Sequence, residues 1–418
     1  MQIRHAGCRK DQGCTGGRMK PVGLFPRVAY FTDCYHEING IATTSRQLAE
    51  YARRGRRPMM IVNCGPEKRV RARGSVMNLE LRRGWAAFSV ERDFGFDLAL
   101  WRHYSYVKRA LQAFQPDVIH VTSPGDFGLL GLYMAHRLHL PLVASWHTNL
   151  HEFAGRRLKK LAPWAPAAGV EDWSLRLLRL FYGCARVTLA PNPEWVRWLS
   201  DKTGKPCLLM HRGVDSALFD PSRRRVKDGV VRLGFVGRIS PEKNVRFLAQ
   251  IESGLVQGGY KNFRFVIVGD GAEIPWLKQN LQHAEFRGVL RGEDLAQAYA
   301  DMDIFVFPSH TDTFGNVVLE AMASGVAPVV SSRGGPKYLV QAGVSGLIAE
   351  QESDFITHVA MLLERPERLL AMRQAAREHA IRSTWDEAFE PVYEAYKLAL
   401  ANRRSVHAGG VAAVAGWN

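Results

Sequence analysis

The segment densest in chemistry is PSHTDTFGNVVLEAMASG (308–325). An apolar run ends at Pro308. A loop then carries Asp312, Thr313, Phe314 and Gly315, and a helical pattern opens at Asn316. Backbone N–H groups at a helix start have no partner within the helix, and the dipole is positive there, so a Gly-containing loop before one is a ready anion site. Asp312 precedes the helix and Glu320 lies inside it, eight residues on. Two carboxylates so spaced could take hydroxyls at opposite ends of a long ligand, such as a sugar and a ribose. By residue type alone they also fit a helix-stabilising acid and a solvated Glu. The second cluster, GFVGRISPEKN (234–244), sets Gly237, Arg238 and Lys243 between a strand and a helix. A bidentate Arg and a mobile Lys can clamp a diphosphate, or simply face solvent. The Walker spacing G-x-x-x-x-G-K-[ST] is absent, and VGDGAE (268–273) lacks the full G-x-G-x-x-G.

Short apolar runs that alternate with longer amphipathic stretches must position these residues. Strands are predicted at 27–33, 58–65, 117–123, 141–148 and 186–192, with helices at 43–55, 102–114, 128–140 and 151–183. A polar, aperiodic linker follows at 221–230. The alternation then restarts, with strands at 231–240, 263–271, 285–290, 303–309, 327–332 and 346–350. Helices lie near 244–255, 274–282, 293–301 and 316–324, and again at 353–380 and 386–401. Strands apolar throughout, separated by helices, mean parallel sheets. The fold class is therefore α/β, with two doubly wound, Rossmann-like units: 27–220 on the N-terminal side and 231–384 on the C-terminal side. Ligands bind such units at the carboxyl ends of the strands, which makes the cleft between them the natural site.

Composition narrows the function classes. The 418 residues hold 46% apolar and 23% charged residues, an ordinary globular balance, and no apolar run is long enough to span a membrane. The net charge of +16 is lopsided: residues 1–220 carry 33 Lys+Arg against 18 Asp+Glu, and the remainder 23 against 22. That split suggests a different partner for each half. No nucleic-acid-binding signature accompanies the charge, and the basic residues are not interleaved with stacking aromatics, so no nucleic-acid partner is expected. The six Cys form no C-x-x-C and read as free thiols in a cytoplasmic protein. Residues 1–26 lack an apolar signal core and read as a disordered or mis-called extension, with Met19 a plausible start. Residues 385–402 read as a final helix and 403–418 as a flexible tail.

Together GRISPEKN (237–244), FRGVL (286–290), DIFVFPSHTDTFGNVVLEAMASG (303–325) and SGLI (345–348) resemble the retaining family 4 (group 1) glycosyltransferases of GT-B fold. HTDTFGNVVLEA is similar to the subgroup of GDP-mannose-dependent α-mannosyltransferases and related lipid glycosyltransferases. The family writes its long motif E-x7-E; here the first acid is Asp312, one methylene shorter, and the last is Glu320. The resemblance implies two domains facing across a cleft, with helix 385–402 crossing back onto the first. It also implies roles. Arg238 and Lys243 would hold the donor diphosphate beside Gly237. Asp312 would contact the donor sugar, with Thr313 and the N–H groups of Phe314, Gly315 and Asn316 adding contacts. Glu320 would bind the ribose, and the backbone of Arg287, Gly288 and Val289 would read the base. DCYHEINGIA (33–42) resembles the first glycine loop, where Asn39 and Gly40 would meet the donor phosphate; an Asn-Gly is otherwise a turn. SWHTNLHEFA (145–154) marks His147 as the active-site His that touches the donor sugar. In HRGVD (211–215), Arg212 replaces the usual Asn, and either holds a hydroxyl or phosphate or stabilises the loop.

The activity implied is hexosyl transfer with retained configuration, by front-face attack on the side the diphosphate leaves, without a protein nucleophile. Arg238, Lys243 and the helix N-termini would stand in for a cation, so no metal or other cofactor is expected. The partners expected are a nucleotide sugar, GDP-mannose first, and a lipid or glycan acceptor. A UDP-sugar-dependent glucosyl, galactosyl or sulfoquinovosyl transferase, or a non-catalytic nucleotide-sugar binder, are the alternatives. The basic runs 53–57, 68–74 and 154–160 lie in the acceptor half. With a helix at 151–162 they would hold a cytoplasmic protein peripherally to the anionic inner face of the membrane.

Overall fold

The computed structural model describes residues 25–37, 39–84, 87–91, 94–97, 99–147 and 167–412. The first unit runs β1 (Val28–Thr32), α1 (Gly40–Arg54), β2 (Met59–Cys64), β3 (Arg69–Arg73), β4 (Val76–Leu81), a separate hairpin of β5 (Ala87–Glu91) and β6 (Phe94–Asp97), then α2 (Tyr104–Phe114) and β7 (Val118–Val121). It continues through α3 (Asp126–Arg137), β8 (Leu142–Ser145), α4 (Ala167–Gly183), β9 (Val187–Ala190), α5 (Pro193–Thr203) and β10 (Cys207–Leu209). Its sheet has the order β10-β9-β8-β7-β1-β2-β4-β3, parallel except for β3 on β4. All five residues of β1 are buried, as a central strand covered on both faces requires.

The second unit comprises β11 (Val231–Val236), α6 (Phe247–Gln257), β12 (Phe263–Val268), α7 (Ile274–Asn280), β13 (Ala284–Gly288), α8 (Gly292–Ala300), β14 (Ile304–Phe307), α9 (Asn316–Ala323), β15 (Ala327–Ser331) and β16 (Leu347–Ala349). They form one parallel sheet, β13-β12-β11-β14-β15-β16, followed by α10 (Glu352–Glu364), α11 (Pro366–Ile381) and α12 (Trp385–Ala412). Strand order reverses between β1 and β7 in the first sheet and between β11 and β14 in the second, so each opens a crevice at its strand ends. Helix α12 then returns to the first unit. Phe389, Val392, Tyr393, Tyr396 and Ala399 share a core with Val28, Tyr30, Ile61, Val118 and Val187. That spacing is one helical face, and Arg54 and Asp386 form an ion pair at its start.

Several boundaries differ from those read in the sequence. The basic run 68–74 contains an edge strand, β3, whose Arg69 pairs with the buried Glu80 at 2.6 Å. The single helix expected over 353–380 breaks at Arg365, because Pro366 starts a new helix and bars helical geometry at the residue before it. Helix α12 continues to Ala412 instead of stopping at 402. Phe25, assigned to the extension, packs edge-on against Tyr393 at 6.4 Å, with Arg57 stacked over its ring. The expected linker is anchored to the second unit: Arg224 donates to Ala300 O and Met302 O and pairs with Asp303 at 2.9 Å. Residues 1–24 and the proposed surface helix 151–162 lie outside the described residues. Among the described residues no helix is long and apolar enough to cross a membrane.

Candidate functional site

The loops that leave the two crevices meet. From the second unit, β11 ends in Gly237 and a 3-10 turn (Pro241–Lys243), while neighbouring β14 leads into the loop before α9. Lys243 Nζ donates to both oxygens of Asp312, at 2.6 and 2.8 Å, so the two clusters read separately in the sequence form one ion pair. Arg238 is exposed beside it, its Nε 4.0 Å from Glu242. Gly315 caps α9 at φ 99, a left-handed conformation that favours glycine, and Asn316 is the first helical residue. Glu320 lies one turn in. Its Oε2 accepts from Tyr299 at 3.0 Å, and burial pushes its carboxyl up to about 7, which the Tyr299 hydrogen bond only partly offsets. Arg287, paired with Glu285 at 2.8 Å, Gly288 and the exposed Val289 stand at the end of β13, away from the Asp312 loop.

Glycine permits this packing at two places. The φ of Gly269 is 136, and a Cβ there would sit 1.9 Å from Gly237 O, so VGDG serves loop-on-loop contact. A Cβ on Gly335 would sit 2.1 Å from Thr313 O, and Gly335 N donates to Asp312 O at 2.6 Å. The turn at 333–336 is thus the buttress of the Asp312–Gly315 loop. Its signal in the sequence is Gly-Gly-Pro after a strand.

The first unit contributes three segments. Asn39 caps α1, its side chain accepting from Ala42 N at 2.9 Å, and a methyl on Gly40 would lie 3.4 Å from Asn316 Nδ2 across the cleft. Two helix N-termini therefore approach each other. His147 follows β8, over a cluster in which Trp146 stacks on Trp195 at 4.2 Å. Its ring is buried and fully engaged: Nδ1 accepts from Arg212 Nη2 at 2.7 Å, and Nε2 meets Ser145 Oγ at 2.7 Å. Since Arg only donates, the His147 proton is on Nε2. Burial and the Arg212 charge hold the ring neutral, well below the usual histidine range. Ser145 Oγ also meets His120 Nε2 at 2.9 Å, and His120 Nδ1 meets Tyr396 OH at 2.7 Å. Burial lowers His120 to about 3. A neutral chain of hydrogen bonds thus joins the cleft to the returning helix α12, through His120, Ser145 and Tyr396, none of which the sequence singled out.

The two units are latched. Thr313 Oγ1 donates to His147 O at 2.8 Å, Thr313 O accepts from Asn192 Nδ2 at 2.8 Å, and Lys337 pairs with Glu194 at 2.7 Å. The latch engages both the hydroxyl and the carbonyl oxygen of Thr313. Asn192 also caps α5, accepting from Trp195 N at 3.0 Å. Asn-Pro after a strand was its signal, a helix start that the sequence reading passed over.

Comparison with known proteins agrees with this architecture. Residues 38–218 match the family model described as Glycosyltransferase Family 4, and residues 231–365 the model described as Glycosyl transferases group 1. The chain is 36% identical over 313 residues to a GDP-mannose-dependent alpha-mannosyltransferase of Mycobacterium tuberculosis (strain CDC 1551 / Oshkosh), covering 72% of this chain and 77% of that protein. It is 31% identical to a sulfoquinovosyl transferase of Arabidopsis thaliana, covering 71% and 60%. In structure it is similar to a sucrose-phosphate synthase from Thermosynechococcus elongatus, with TM-score 0.68 and 17% identity, over 91% of this chain and 100% of that one; this likeness shows the GT-B fold.

Proposed function

The chain belongs to the group 1, family 4 glycosyltransferases and is a hexosyltransferase; from that premise we propose that it moves mannose from GDP-mannose to a lipid or glycan acceptor, with retained configuration. The observation that carries this reading is the row Lys243–Asp312–Glu320 along one side of the cleft, opposite the N-terminus of α1. Lys243 and the exposed Arg238 supply positive charge for a leaving diphosphate. The entering phosphates compete for Lys243 and release Asp312 to the hydroxyls of the hexose. The N–H groups of Phe314, Gly315 and Asn316, at the positive end of α9, add to the same electrostatic stabilisation, and those after Asn39 face them. Glu320 has one carboxylate oxygen on Tyr299 and offers the other to the ribose. Arg287–Val289 read the base. His147, with both ring nitrogens occupied, acts on the sugar through its neighbours unless one hydrogen bond exchanges.

Departure of the diphosphate develops positive charge at the anomeric carbon. The acceptor hydroxyl attacks from the face the diphosphate leaves, and the leaving phosphate takes its proton, so no protein nucleophile or metal is required. Closure of the latch excludes water. The mannose assignment rests on similarity to enzymes named for GDP-mannose. The acceptor and the membrane reading rest on the basic first half. The test is a donor panel of GDP-mannose, UDP-glucose, UDP-galactose and UDP-sulfoquinovose with membrane lipids as acceptor. GDP release from GDP-mannose alone is expected; turnover of only a UDP-sugar would replace the donor, and binding without turnover would replace the enzyme by a binder. Salt-sensitive flotation with anionic liposomes is the expected result for the membrane claim, and equal flotation with neutral ones removes it.

A further inference from the structure

Arg212 carries a charge that the transfer as described leaves idle. It follows β10, where the chain turns toward the second unit, and only 4% of the residue is exposed. Nη2 is spent on His147, while Nη1 is buried with no hydrogen-bond partner. Among the described residues no carboxylate forms an ion pair with it. Burial pulls its guanidinium down to about 10, which still leaves it charged near neutral pH. A buried charge without a partner is costly, and an arginine kept in that state is poised to take one. Beside His147 and Tyr30 of its own unit, it faces a ring of the opposite one. The Phe314 ring centroid is 5.9 Å away, and Thr313 bonds the backbone of its partner His147. Separation of the units at that latch would take the Phe314 ring off Arg212.

We infer that Arg212 is a receptor for an oxyanion of the substrate, its fork completed by a phosphate, carboxylate or sulfonate oxygen on Nη1. His147 is the positioning residue, a neutral acceptor that fixes the guanidinium plane. The inference rests on the glycosyltransfer reading above and adds to it an anion contact from the acceptor unit, beyond the Arg238–Lys243 pair of the other unit. The oxyanion has two sources, the donor diphosphate or an acidic acceptor headgroup.

The experiment uses the full chain with Arg212→Met and Arg212→Lys, each checked for an unchanged Tm and circular dichroism. Calorimetry compares GDP with guanosine, and transfer kinetics compare KM for phosphatidylglycerol with KM for diacylglycerol in neutral detergent. Arg212→Met is expected to lose roughly 10- to 100-fold toward a charged ligand while its uncharged counterpart moves less than about twofold. Loss on GDP but not guanosine identifies the donor; loss on phosphatidylglycerol but not diacylglycerol identifies the acceptor. Arg212→Lys, which keeps the charge and loses the fork, should lose about 3- to 10-fold on the same ligand, and it carries the comparison if the Met variant does not fold. Equal losses on charged and uncharged ligands, or none, overturn the inference. Charge-selective loss on GDP in a wild-type protein that turns over no nucleotide sugar would leave the oxyanion receptor standing and remove the transferase reading.

Discussion

Glu320 and Lys243 are the two residues whose chemistry can be read separately. The Glu320 carboxyl, raised to about 7 against an ordinary value of 4.5, holds its proton longer in the folded protein than in the unfolded chain. Its contribution to stability is therefore full below the ordinary value and is lost as pH rises through about 7. Ribose hydroxyls donate to the ionised form, so they pull the pKa back down. Affinity for GDP should accordingly rise between about pH 6 and 8 in the wild type. Calorimetry on Glu320→Gln should give a weaker and pH-independent affinity; the same slope in the variant would assign the titration elsewhere. Lys243 was legible as a cation after a strand, and Asp312 as an acid before a helix. That they pair was not, because the contact joins β11 and β14, which are sequence-distant neighbours in the sheet.

At the scale of elements, the alternation of buried strands and helices was legible because parallel strands are apolar on both faces. The central strands 28–32, 118–121, 231–236 and 304–307 all fall inside predicted runs. What escaped were β3, β4, the β5–β6 hairpin, β10 and α5. Strand β4 carries Asn78 and Glu80 among its apolar residues, β10 has only three residues, and α5 holds buried Leu199 among charged neighbours. The buttress of the site is likewise an element property: Gly335 packs on the backbone of Asp312, Thr313 and Phe314. Gly335→Ala should force the Asp312–Gly315 loop outward. The expected result is a fall in kcat/KM of roughly 10-fold or more, with a lowered Tm but unchanged secondary structure. Wild-type kinetics in this variant would show that the loop tolerates displacement.

For the molecule as a whole, the returning helix α12 and the Thr313 latch set how the two units meet. Phe389→Ala should cost about 3–5 kcal/mol by leaving a cavity between α12 and the first sheet, read as a lower urea midpoint. Removing the latch with Asn192→Ala and Thr313→Val should leave secondary structure intact. The donor KM should rise, and the radius of gyration in X-ray scattering should increase in the donor-free protein. An unchanged radius would mean that the remaining contacts alone hold the cleft closed. The charge split of the sequence was visible from the start, yet the buried Arg212 inside the basic half was not, since burial is a property of the fold. The most direct measurement on the central claim follows labelled hexose from GDP-mannose into an organic-extractable acceptor, with GDP release counted in parallel, for wild type and Lys243→Ala. One GDP per transferred hexose is expected in the wild type, and a loss of roughly 100-fold or more in a folded Lys243→Ala. Transfer by Lys243→Ala at the wild-type rate, or GDP release with no label reaching any acceptor, would contradict it.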